Sequence, residues 1–472
     1  MKVIYPGAIK RCVMRRLPLS RSFSQCPLFI LGLLAVFACT DTAPPSAPLS
    51  TQNASAARST SGPTVKSTSP DTATVDSTLD VHVFGSGFDV GSRAQWALSG
   101  VPSGKVVTNS TRFVSSTELV ANITIAKDAT LASYDVMVTT SSGKGGIGTE
   151  CFVITAKATD LGTLGGTQSE ALGVNNFTQI VGWSYVASGA EHAFLWTRAS
   201  GMQDLGTLGG SASHAYAIND NGQVVGSSTT AAGDKHAFLW TATDGMRDIG
   251  TLGGTLSEAL AISKNGAIVG GSFLSGGGSE VTFLWSAGVM ENIGGTRARG
   301  LAVNNALQVV GTADVGVVSS TYRSLLWTKS GGVWTSEELD GPNPNGGSYT
   351  YGINELGQII GDFVTTTSQR GAYMWTRAGG YKLLPLLPKG TGVWANAIND
   401  AGRIVGYGND VSAFQHPAVW DPKGDGWTIT TFAGAGTSKG ASWVNALNDN
   451  HQAAGGSRMP GGSLHATLWE VP

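Results

Sequence analysis

Five residues before a recurring asparagine, the chain carries Glu170, His214, Glu258, Arg299, Tyr349, Trp394 and Trp443. Gathered on one surface, side chains of these types suit a sugar ring. Aromatic faces stack on its C–H surfaces, while charged and polar groups exchange hydrogen bonds with its hydroxyls. Positions that stay uniform between copies of a repeat build scaffold, whereas positions that vary are free to specialise. No other strand position is expected to vary as much. The bland account of the same variation is loose packing between repeats.

Catalysis is the rival chemistry. A glycoside hydrolase or lyase would use Glu170 and Glu258 as an acid/base pair. Such carboxyls must stand about 5–5.5 Å apart for retention or 6.5–9.5 Å for inversion. Glutamates on alternate repeats would stand wider unless they leaned inward. The chain shows no nucleophile elbow, no paired metal-ligand spacing and no phosphate loop leading into a helix. No catalytic residue, metal ligand or cofactor is therefore assigned. His192, His236, His416 and His465 each precede a marker tryptophan by four residues, which reads as a packing role repeated once per copy.

The elements that must position these residues are repeats. Marker tryptophans recur at 196, 240, 285, 327, 375, 420 and 469, giving seven copies. A second marker pair keeps a fixed spacing: Asn175/Gly182, Asn219/Gly226, Ser263/Gly270, Asn304/Gly311, Asn354/Gly361, Asn399/Gly406 and Asn448/Gly455. Between them lie turn formers such as Asp220-Asn221-Gly222, so each pair brackets a hairpin. In the second copy the strands read AYAIN, QVVGS, HAFLW and a short MRDIG ahead of a glycine-rich turn.

A single sheet of that kind has two apolar faces and can bury both only between neighbours, which is the logic of a β-propeller. The last copy lacks a fourth strand, and Ala158-Thr159-Asp160-Leu161 offers one from the other end of the region. Pairing the two would close a ring and hide an edge. A right-handed solenoid is the alternative. The DLGTLGG stretch, the N-D-N-G turn and the HAF of HAFLW resemble the HAF repeat family of extracellular proteins, which implies location more than chemistry. The match is strong in the first three copies and drifts later, with Ser263 for Asn and Val281, Arg323 and Gly371 for His.

Upstream, residues 63–155 alternate apolar and polar positions, as in Leu79-Asp80-Val81-His82-Val83-Phe84, and read as strands of a β-sandwich. VHVFGSGFDVGSRAQW, the later YDVMVTTSSG and the closing CFVI resemble the IPT/TIG immunoglobulin-like family, whose members usually serve as spacer or adhesive modules. Phe88 and Trp96 are expected in its core, with Cys151 a small buried hydrophobe rather than a reactive thiol.

Residues 1–38 place Lys10, Arg11, Arg15, Arg16 and Arg21 ahead of an apolar run too short to span a bilayer, as in a signal peptide. Leu34-Ala35-Val36-Phe37-Ala38-Cys39 resembles the lipobox of bacterial lipoproteins, which implies lipidation at Cys39 and a membrane partner through that anchor. Residues 39–62 then form a flexible linker. Removing residues 1–38 takes six of the 30 Lys and Arg and none of the 32 acids, leaving 24 against 32, near −8. That balance disfavours a nucleic-acid partner, and none is expected.

The expected organisation is all-β, a seven-bladed propeller over 156–472 behind an immunoglobulin-like sandwich. The expected role is a non-catalytic, lipid-anchored binding module facing the surface or periplasm, with an extracellular glycan or protein as partner. A glycan-active enzyme and a purely structural surface protein are the alternatives.

Overall fold

The computed structural model describes residues 62–472 except 315–321, 340, 344–345, 368, 411, 413, 434, 436–440 and 472. The expected signal segment, Cys39 and all but the last residue of the linker lie outside the described residues. The described elements are all β-strands, and no helix among them is long and apolar enough to cross a membrane.

Residues Thr64–Thr155 form a four-stranded and a five-stranded sheet around one core. Alternation along Ser77–Ser86 sends Val81 and Val83 inward and Asp80 and His82 outward. Trp96 and Phe152 meet edge to face with ring centroids 5.7 Å apart, and Phe88 is buried with them. Cys151 is partly buried, and desolvation followed by the charge of Asp135 pushes its thiol up, away from the reactive thiolate.

From Gly165 onward each repeat is a four-stranded antiparallel meander, as in Gly165–Val174, Ile180–Val186, Glu191–Thr197 and Gly201–Asp204. The glycine-rich stretch expected as a turn partly joins the innermost strand, which in the second repeat runs Gly209–Ile218. The last repeat takes its outer strand from Lys157–Asp160, with Ala158 opposite Trp469 and Asp160 opposite Thr467. His465 then bonds Asp160, as His192 bonds Asp204 and His236 bonds Asp248 in complete repeats. These histidines thus tie the third strand to the fourth within one sheet, rather than packing between sheets. His416 departs again, pairing with Asp410.

Apolar cores lie between successive sheets. Phe194 and Trp196 of the first repeat share one with Ala454, Ala466 and Leu468 of the last. Phe238 and Trp240 pack on Val181 and Leu195, and Phe283 and Trp285 on Val225 and Leu239. First-to-last packing gives a β-propeller and excludes the open row of a solenoid. One of these cores also takes in Ala156 and Leu131, so the N-terminal sheets rest on the last repeats. Lys127 lies 3.6 Å from Glu470 at the same junction.

The marker asparagines do more than close their own hairpins. Asn175 Oδ1 accepts the N–H groups of Phe177 and Gln179, while its Nδ2 donates to the carbonyl of Asn219 in the next repeat at 3.0 Å. The same reach links Asn219 to Ser263, Asn304 to Asn354, Asn354 to Asn399, Asn399 to Asn448 and Asn448 back to Asn175. Buried backbone carbonyls need such partners, so this belt fixes the angular spacing of the sheets. Ser263, which has no amide to extend, interrupts it.

Candidate functional site

The innermost strands wall a central channel, and a repeated backbone irregularity decides what points into it. Each carries a β-bulge: register slips between Ala171 and Gly173 in the first repeat and between Thr350 and Gly352 in the fifth. The extra residue is turned out of the ladder. Those bulge residues, Leu172, Tyr216, Leu260, Leu301, Tyr351, Asn396 and Asn445, all line one cavity of about 650 Å³, which contact from every repeat makes axial. The marker glycine permits this approach. A Cβ on Gly182 would sit 1.9 Å from the carbonyl oxygen of Glu170, and one on Gly361 1.9 Å from that of Tyr349.

Two residues before each bulge stands the varied position singled out in the sequence. Its side chains are neighbours around the wider mouth, but they are differently engaged. Glu170 accepts bonds from Trp443 Nε1 at 2.7 Å and Asn445 Nδ2 at 3.0 Å. His214 bonds Glu191 at 2.7 Å and stacks on Trp183. Glu258, buried, is held by Lys235 and by Arg299 at 3.0 Å, and Arg299 also binds Glu280 at 2.8 Å. Tyr349 stacks on Tyr322 at 5.3 Å, and Trp394 lies on Tyr407 at 4.8 Å with planes 15° apart.

A pairing rule explains much of the variation. The first residue of the third strand in one repeat meets the varied residue of the next: Glu191 with His214, Lys235 with Glu258, Glu280 with Arg299, Tyr322 with Tyr349. Variation in the first half of the ring therefore serves recognition between repeats. Of the residues singled out, Trp394 and Trp443 line the 650 Å³ cavity, while Arg299 and Tyr349 line a second one beside it. Glu170 and Glu258 are held by separate partner sets, so the acid/base pairing considered for them has no shared hydrogen-bond network.

Sequence reasoning missed the groups that share the cavity with the tryptophans. The position after each marker glycine is as varied as the one chosen: Trp183, Ser227, Gly271, Thr312, Asp362, Tyr407 and Gly456. It is the direct cross-strand partner of the chosen position, Tyr349 opposite Asp362 and Trp394 opposite Tyr407. The expectation of a single varied position is corrected accordingly. The bulge residues carried a weaker signal, three before each marker asparagine.

Asp362 is fully buried at the cavity wall, with Arg370 Nη1 3.0 Å from Oδ1. Burial pushes its carboxyl up to about 6, against the opposing pull of the Arg370 charge and the hydroxyl of Tyr351. Tyr351 is pushed up in turn, chiefly by burial and then by Asp362. Polar groups around the tryptophans are Asn396, Asn445 and Gln415.

The hairpin end of the channel is built differently. Aliphatic residues just before each marker, from Val174 to Leu447, border a cavity of about 190 Å³ that the turns complete. There Asn176, Asp400 and Asp449 accept backbone N–H groups from the preceding repeat. Lys264 reaches Asp400 at 2.7 Å and Asp449 at 3.5 Å, and the Asp400 bond raises its ammonium. No group of three or more metal-ligating side chains occurs among the described residues.

No protein-family profile and no curated relative matches the chain. Among solved structures, the β-propeller domain of the Trilobed protease from Pyrococcus furiosus aligns over 78% of this chain and 97% of its own length, at 7% identity and a TM-score of 0.42. TolB from Acinetobacter baumannii aligns over 59% and 76%, at 11% identity and a TM-score of 0.36. Pyrococcus horikoshii acylaminoacyl peptidase aligns over 84% and 57%, at 8% identity and a TM-score of 0.39. The propeller assignment rests on sheet topology and first-to-last packing rather than on likenesses of this size.

Proposed function

We propose that the chain is a non-catalytic, lipid-anchored extracellular binding module, a seven-bladed propeller behind an immunoglobulin-like stalk, which captures a glycan at the wider channel mouth. The observation that carries this reading is one cavity of about 650 Å³ holding Trp394 flat on Tyr407, Trp443, three side-chain amides and the Asp362–Arg370 pair. Flat aromatic faces beside fixed donors and acceptors suit a ring with C–H faces and peripheral hydroxyls.

The test is a glycan array probed with the protein and with Trp394→Ala/Trp443→Ala. Binding by the parent that is lost in the double variant, with the folded signature retained, supports the reading. An array without signal sinks it.

A further inference from the structure

We infer that the ligand is an uncharged oligosaccharide at least two rings long, bound across two adjoining subsites; this deepens the glycan reading and rests on it. The second cavity, about 580 Å³, is lined by Phe273, Glu280, Arg297, Arg299, Tyr322 and Tyr349, and Leu301 lines both cavities. Tyr349 stands at the boundary. Its ring stacks on Tyr322 on the second-cavity side, while the Arg370 guanidinium of the first cavity lies 4.8 Å over it. Each cavity falls within the size range of small-molecule sites, and each presents aromatic faces beside polar groups. A single ring in the first cavity would leave the Tyr322–Tyr349 platform uncontacted.

Charge accounting sets the class. Among the described residues, three arginines line the two cavities, and each already holds a carboxylate: Arg370 with Asp362, Arg297 with Asp314, and Arg299 between Glu258 and Glu280. A ligand carboxylate or sulfate would have to share an arginine with the acid already on it, as Glu258 and Glu280 share Arg299, and repulsion from that acid would offset much of the attraction. Hydroxyls can bond to the same groups while every pair stays intact. The walls therefore favour a neutral chain over a uronate one.

Titration calorimetry on the full chain tests this with neutral glucan, mannan and galactan oligosaccharides of one to four rings, and galacturonate and glucuronate oligomers of the same lengths. The expected result is a gain of at least tenfold from one ring to two or three in a neutral series. Tyr322→Ala should abolish that gain and leave single-ring affinity unchanged. Tyr322 is 37% exposed, so its truncation spares the cores. Equal affinity at every length, tighter uronate binding, or Tyr322→Ala weakening single-ring binding as much as longer chains would each overturn the inference and leave the glycan reading standing. Absence of binding by every oligosaccharide overturns both.

Discussion

The first three repeats and the last three share one backbone plan and use it for opposite ends. In the early repeats the varied positions close on neighbouring sheets: Glu170 on Trp443 and Asn445, His214 on Glu191, Glu258 on Lys235. In the late ones the equivalent positions carry Trp394, Tyr407, Trp443 and Asp362, which face the cavity. Repeats closest to the common sequence spend their varied side chains on holding the ring, whereas the drifted repeats put theirs on cavity walls even where, as with Arg299, Tyr349 and Trp443, they also touch a neighbouring sheet. Drift from the consensus is thus the better guide to the site than variability alone.

The contrast can be broken in several ways, the largest at the asparagine belt. Asn354→Ala removes three bonds within its hairpin and one to Asn399, and should cost about 3 kcal/mol by denaturant unfolding. Ser263→Ala, at the gap, should cost under about 1 kcal/mol. Equal losses would mean that the belt does not order the sheets.

Asp362 sharpens the comparison through pH. Its folded carboxyl, near 6, lies above the ordinary 3.8, so the folded state keeps a proton that the unfolded chain releases between roughly pH 4 and 6. This group therefore makes stability fall as pH rises through that window, by up to about 3 kcal/mol. Subtracting the stability profile of Asp362→Asn from that of the parent should reveal the fall. A flat difference would show that Asp362 titrates normally.

His214→Ala is next in size. It should lower stability by about 1 kcal/mol, as a half-buried pair would, and leave glycan affinity within about twofold. Smallest is repair of the belt: Ser263→Asn with Ala267→Gln recreates the Asn219/Gln223 pattern, and should add about 1 kcal/mol by denaturant unfolding.

The repeats, their four strands and the strand borrowed from Ala158–Asp160 were legible because tryptophan, asparagine and glycine recur at fixed spacing. The glycine's reason was not. It looked like part of a turn, yet it stands where a side chain would strike the carbonyl of the varied residue opposite. Half of the candidate site was legible in the same sense: Trp394 and Trp443 were visible as departures from the pattern. Tyr407, Asp362 and the bulge residues were not, because strand registry and a bulge bring them alongside, and neither is written in any one repeat. The pairing of Glu191 with His214 is likewise a relation between copies, invisible when each copy is compared only with itself.

Indole N–H spectra during titration with a bound oligosaccharide test the division of labour most directly, since Trp183 of the early half stacks on His214 and serves as an internal reference. The account predicts shifts at Trp394 and Trp443 that saturate together while Trp183 stays in place. Saturating shifts at Trp183 with Trp394 and Trp443 unmoved would contradict it.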